Sequence, residues 1–104
     1  MRLISLREWV VEMEKSILDM LLELTTLVHE FNAVSDSKGV QQSLSIDISK
    51  KTFAVCKWDE SGEKPKVIHS FSGGLVHDLC SNPKQHLQNV IYVIANEFSN
   101  LKGE

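Results

Sequence analysis

An unbroken heptad repeat runs through the first third of the chain and constrains the fold more than any other feature. It consists of two interleaved series of apolar residues, Leu3, Val10, Ile17, Leu24, Phe31 and Leu6, Met13, Met20, Leu27, Val34. All ten positions are apolar, and the steps between them alternate between three and four residues. This pattern predicts one long helix with a continuous apolar seam.

Local signals predict that this helix spans residues 5–35. Ser5 and Glu8 have the spacing of a capping box, and Ile4 and Trp9 that of a hydrophobic staple. The stretch "NAVSDSKG" indicates an end near Val34. Such a helix would be about 43 Å long, whereas a compact domain of this size is about 30 Å across. We therefore expect the helix to project from the domain or to lie along a partner.

The seam suggests a homodimer formed through the first half of the helix. The predicted interface residues are Leu3, Leu6, Trp9, Val10, Met13, Ile17, Met20 and Leu24. In the second half the apolar face widens through Leu18, Leu21, Leu22 and Val28, so this half should also pack on the rest of the domain. The flanking charges form no obvious set of interhelical salt bridges, which leaves parallel and antiparallel pairing open.

The remainder of the chain predicts a small sheet and a second helix. Alternating apolar residues in "LSIDIS", "TFAVCKW" and "PKVIHSF" indicate a three-stranded antiparallel meander over residues 43–72, which Gly73–Gly74 should end. Asn82, Pro83 and Gln85 predict the capped start of a helix over 82–102. The expected fold class is α+β, a single domain over residues 1–104, with the C-terminal helix packed on the sheet.

Composition narrows the functional classes. The 104 residues are 42% hydrophobic and 24% charged, with a net charge of −3. This balance is typical of a globular domain and lacks the basic excess that nucleic acid binding favours. No apolar run is long enough to span a membrane, and acidic residues interrupt any signal-peptide pattern at the N-terminus. We expect a soluble intracellular protein with reduced thiols.

Four ligand-type residues, Cys56, His69, His77 and Cys80, raise the question of a zinc site. Their spacing matches no strong zinc signature, and free cysteine is often buried. No nucleophile elbow or phosphate-binding loop accompanies them. The prediction is therefore no catalytic residues, no metal and no cofactor, although whether these four side chains meet in space stays open.

Asp47 offers an enzymatic alternative. The segment "SIDISKKTFAVCKWDESGEKPKVIHSFSG" resembles the opening hairpin of RNase H-like transposases of the IS110 type. The resemblance implies that Asp47 matches the catalytic acid of that family, which holds metal ions with further carboxylates. The later acids here are Asp78, Glu97 and Glu104. The other interpretation puts Asp47 on a solvated strand face, near Lys57 across the hairpin.

Taken together, these patterns favour a non-enzymatic protein–protein interaction module that homodimerises and presents an α+β surface to an unidentified macromolecular partner. The arrangement of a helical stalk, a small sheet and a closing helix resembles RWD-like domains of kinetochore scaffold proteins, in architecture only. Two alternatives remain: an inactive RNase H-like protein associated with nucleic acid, and a small inhibitor or immunity-type protein.

Overall fold

The computed structural model describes the backbone of residues 6–103 and the side chains of residues 16–103. Its elements follow the chain as α1 (Leu6–Lys38), β1 (Gln42–Ile48), β2 (Thr52–Asp59), β3 (Lys66–Gly74) and α2 (Pro83–Lys102). The predicted α+β class is therefore confirmed, with a helix, an antiparallel three-stranded sheet and a C-terminal helix in that order. The proposed Ser5 cap and the Ile4 half of the staple lie outside the described residues.

The sheet is a meander in the order β1-β2-β3, and its two faces differ in character. Ile46 lies opposite Val55, and Val55 lies opposite Phe71, so these apolar side chains share one face. On the other face Cys56 lies between Ser45 and Ser70. The two helices cover the apolar face, and the face of small polar side chains is left open.

One hydrophobic core lies between the helices and the sheet. Its most completely buried apolar side chains come from both helices and the sheet and are Leu24, Phe31, Phe53, Val55, Leu87 and Ile94. A small sheet is stabilised when its apolar face packs against a helix. Here α1 and α2 share that role: α1 packs beside β1, and α2 packs against α1 and β3.

Two element boundaries differ from the sequence-based prediction. α1 continues past Val34 to Lys38, and Gly39 ends it with φ = 68° in the left-handed region. The third strand ends at the Gly73–Gly74 pair, but it includes both glycines instead of stopping at residue 72. A Cβ at Gly73 would overlap the ring of His86 on α2, so this glycine permits close packing of helix on strand.

The start and the end of α2 match the prediction. Asn82 Oδ1 accepts a hydrogen bond from the Gln85 backbone N–H at 3.2 Å, and Pro83 occupies the first turn. Gly103 ends the helix with φ = 81°. The capping box is only half formed, because the Gln85 side chain donates to Asn89 Oδ1 at 3.0 Å instead.

Candidate interaction surfaces

From Ile17 onwards, the side chains of the heptad seam of α1 pack in or against the protein's own core. Leu24 and Phe31 are 0% and 1% exposed, and Ile17, Met20 and Leu27 pack against the same core. Leu24 is therefore unavailable to a partner helix, which corrects its assignment to the dimer interface. Of the other predicted interface residues, Leu3 lies outside the described residues. The side chains of Leu6, Trp9, Val10 and Met13 also lie outside the described set.

α1 and α2 lie side by side with their C-terminal ends together. At that end the Lys38 ammonium donates to the Leu101 carbonyl oxygen at 2.8 Å. At the other end, Ile17 lines one cavity together with Asn82 and Pro83, where α2 begins. The part of α1 that runs beside α2 thus extends from Ile17 to Lys38. We refer to residues 17–103 as the body and to residues 6–16 of α1 as the N-terminal extension.

Side chains from both helices occupy the outer edges of the sheet. The Asn32 amide of α1 donates to the Leu44 carbonyl oxygen at 2.9 Å and accepts from the Leu44 N–H at 2.8 Å. It thereby bonds the edge of β1 as a neighbouring strand would. His86 of α2 lies 2.7 Å from the Ser72 carbonyl oxygen of β3, and because a carbonyl only accepts, Nε2 must donate. Both edges are closed to strand addition at these points.

A buried serine connects the end of α1 to the start of β1. Ser35 is 0% exposed, and its hydroxyl lies 2.6 Å from the Gln42 carbonyl oxygen and 2.8 Å from that of Val40. The Val40 N–H donates back to the Ser35 carbonyl oxygen at 3.0 Å. These bonds fix the direction of α1 relative to the sheet, because they satisfy polar groups that would otherwise be buried without partners.

The most exposed apolar side chains of the strands belong to β3, beside the open face of the sheet. Trp58 lies on this face, and its indole Nε1–H donates to the Ser45 hydroxyl oxygen at 2.9 Å. Opposite it, β3 contains a bulge, and Val67 and Ile68 are about half exposed there. We refer to these three residues, which are neighbours in the paired strands, as the Trp58 corner.

The structure separates the acids of the nuclease hypothesis. Asp47 is exposed on the open face opposite Ala54, whereas Lys57 lies on the helix-covered face and pairs with Glu97 of α2 at 3.5 Å. The suggestion that Asp47 lies near Lys57 was therefore wrong. Asp78 lies in the turn after β3, and Glu104 is outside the described residues. Within residues 16–103, no group of three or more Asp, Glu, His or Cys side chains could hold a metal ion.

The four ligand-type residues also lie apart. Cys56 is on the open face, while His69 is opposite Lys57 and its ring centroid lies 4.4 Å from that of Phe71. His77 and Cys80 belong to the turn that links β3 to α2. Both cysteines are free and half-buried.

A polar cavity of about 350 Å³ opens between α1, β1, β2 and α2. Lys57 and Glu97 line it, and Glu97 Oε2 is buried with no hydrogen-bond partner, so its stabilising contact is the Lys57 ammonium. Elsewhere, hydrogen bonds from the Ser61 hydroxyl and backbone N–H hold the pKa of the Asp59 carboxyl below its usual value. Both acids thus have local structural partners.

Comparisons with family models, curated proteins and solved structures gave no significant match. In the described part of the chain, no helix has the length and apolar character needed to cross a membrane.

Sequence reasoning missed the contacts of Asn32, Ser35 and His86. A signal existed for Ser35, which continues the buried series Leu21 and Val28 at seven-residue spacing but is polar.

Proposed function

We propose that this chain is a non-enzymatic protein–protein interaction module that homodimerises through the N-terminal extension of α1. The observation that carries the proposal is the mismatch in length between the two helices. α1 has 33 residues and α2 has 20, which correspond to about 50 Å and about 30 Å. The extension therefore reaches about three turns beyond the body, and the longest dimension of the molecule is 55 Å.

The apolar residues in the sequence of this extension would be stabilised by packing against another helix. Leu6, Val10 and Met13 continue the heptad seam there, and full burial of such a side chain contributes about 1.5–3 kcal/mol. An isolated helix of eleven residues is marginal in water. A second copy of the same extension supplies a matching apolar stripe, so that each helix stabilises the other.

The dimer is tested by size-exclusion chromatography with light scattering. Leu6→Glu places a charge in the seam and should convert a dimer into a folded monomer. Leu22→Glu is the matched control, because Leu22 is 67% exposed and lies off the seam. We expect the control to keep the mass of two chains. A wild-type protein that is monomeric at micromolar concentration would refute the proposal.

The second part of the proposal is that the body presents a surface to a macromolecular partner. The Trp58 corner supports this role, because tryptophan beside half-exposed aliphatic side chains is typical of the anchors of protein interfaces. Ile68→Glu should abolish partner binding in purifications from the native host and leave the dimer intact. Direct titration with single- and double-stranded nucleic acid tests the nuclease-like alternative. Purification of an enzyme together with this chain, and inhibition of that enzyme's activity by the chain, would favour the inhibitor alternative.

A further inference from the structure

We propose that the outer edge of β1, beyond the point where Asn32 covers it, binds an extended segment of a partner protein by strand addition. This site goes beyond the proposed function, because it uses neither the N-terminal extension nor the Trp58 corner and lies at the edge of the sheet opposite to β3. Two features carry it: unpaired backbone groups on β1 and an apolar cavity beside them.

The contacts of β1 show which of its backbone groups face outward. The N–H and C=O of Leu44 both bond the Asn32 amide, so both point away from β2. Residues two apart in a strand point their backbone groups the same way, and β1 pairs with β2 without a shift from Gln42 to Ile48. The N–H and C=O groups of Ile46 and Ile48 therefore also face outward. Among residues 16–103, no side chain or turn donates to these groups or accepts from them.

Beside this open edge, α1 borders an apolar cavity. Leu18, Thr25 and Asn32 are spaced by seven residues, so they lie on the side of α1 that faces the edge of β1. The Thr25 hydroxyl donates to the Leu21 carbonyl oxygen at 2.8 Å and so bonds within the helix. Leu18 is 65% exposed and lines the cavity, which has a volume of about 370 Å³. The other apolar residues that line it are Ile17, Leu21, Ile48, Leu75 and Val76.

The backbone groups determine what kind of molecule fits. Ile46 and Ile48 offer two donors and two acceptors about 7 Å apart along the strand, and this pattern matches another extended polypeptide. Antiparallel addition is the more stable arrangement. Partner residues opposite these isoleucines would then point their side chains to the helix-covered face, next to the cavity. An apolar side chain is therefore favoured at both positions.

The charges beside the edge add two further preferences. Lys50 lines the cavity, is exposed and has no ion pair among the described residues. In antiparallel addition, the partner residue near Lys50 comes two positions before the first apolar one, and an acidic side chain fits there. Asp47 is exposed on the open face, so a basic residue fits opposite it. The partner segment therefore reads acidic, any residue, aliphatic, basic, aliphatic from its N-terminus.

The open edge is tested first in the free protein, by amide hydrogen exchange followed by NMR. The Leu44 N–H should be protected by Asn32, whereas the N–H groups of Ile46 and Ile48 should exchange at least about tenfold faster. Equal protection at all three positions would show that the edge is covered and would overturn the proposal. Protection of Ile46 and Ile48 that is lost on dilution would assign the edge to a second copy of the chain, and would also overturn it.

The second test uses a fluorescein-labelled synthetic peptide, capped at both ends, with the core Glu-Thr-Val-Lys-Val. We expect saturable binding in fluorescence anisotropy, together with slower exchange of the Ile46 and Ile48 amides. N-methylation of both valines, whose N–H groups would face β1, should weaken binding at least about tenfold. N-methylation of the threonine and the lysine, whose N–H groups face away, should change it less than about threefold. No saturable binding up to about 1 mM peptide, or equal loss from both methylated peptides, would refute strand addition.

Two substitutions test the cavity and the charge. Leu18→Glu should weaken binding of this peptide about tenfold, because it places a charge beside the valine side chains. Tyr92→Glu is the matched control, since Tyr92 is 68% exposed on α2 and does not line the cavity. Lys50→Glu should weaken binding about threefold, and a peptide with lysine in place of glutamate should restore it. Equal binding by Leu18→Glu and Tyr92→Glu would overturn the proposal. Neither substitution alters the seam of α1, so that result would leave the proposed dimer untouched.

Discussion

The contact between Asn32 and Leu44 leads to a quantitative prediction for the stability of the fold. Asn32→Ala removes both hydrogen bonds that tie α1 to the edge of β1, at 2.8 and 2.9 Å. A typical intramolecular hydrogen bond contributes about 0.5–1.5 kcal/mol net, so the pair should contribute about 2 kcal/mol. That is a large fraction of the free energy of unfolding of a small domain, which is commonly about 5–15 kcal/mol.

The assay is urea unfolding followed by circular dichroism at one fixed protein concentration, because dimer formation would make stability depend on concentration. Asn96→Ala is the matched control. Asn96 is exposed on α2 with no side-chain hydrogen bond among the described residues, and the same substitution there changes only helix propensity. Asn32→Ala should be less stable than this control by about 2 kcal/mol, with an unchanged slope against urea.

Asn32→Asp refines the test, because it keeps the acceptor for the Leu44 N–H but loses the donor to the Leu44 carbonyl oxygen. Protonation of the new carboxyl restores a donor, so its deficit should shrink as the pH falls towards the acid range. A difference between Asn32→Ala and Asn96→Ala below about 0.5 kcal/mol would show that the amide does not hold the edge of β1. The assignment of Asn32 as an edge-capping residue would then be abandoned.

Two further predictions concern a glycine and an acid. Gly73→Ala should destabilise the fold by about 1–3 kcal/mol in urea unfolding, because its Cβ would overlap the His86 ring. Gly62→Ala, in an open loop, should change stability little, and equal effects would contradict the argument. The pKa of Asp59 should rise part of the way back in an NMR titration of Ser61→Ala, because the hydroxyl is lost and the backbone N–H bond remains. The stability that Asp59 contributes is present above its unfolded-state pKa and is lost as the pH falls through the lowered folded-state pKa. The free energy of unfolding of Asp59→Asn should therefore differ from that of the wild type at neutral pH and converge with it in acid.

Local patterns in the sequence predicted the type and order of the elements. Alternation in β1 and β2 and the Asn82–Pro83 cap of α2 are local properties, which depend on residues a few positions apart. The Gly73–Gly74 pair shows what this reasoning misses. Glycine alone indicates a break, but its role here depends on the His86 ring, which approaches from an element that is distant in sequence.

The candidate site was less predictable than the fold. The sequence around Asp47 resembled that of a catalytic strand. Whether other carboxylates lie near Asp47 could be decided only from the tertiary structure. The pairing of Lys57 with Glu97, rather than with Asp47, follows from the face on which each side chain lies. A shift of one residue along a strand reverses that face, so proximity in a hairpin sequence does not establish contact.

The sequence by itself determined that the chain begins with a continuous series of apolar residues at helical spacing, because this periodicity depends only on residue spacing. Only the tertiary structure decided how that seam is divided. From Ile17 onwards it is buried by the chain's own sheet and second helix, since packing there removes Leu24 and Phe31 from water. The heptad repeat contains no mark of this division, because an apolar side chain is stabilised equally well by its own core or by a partner.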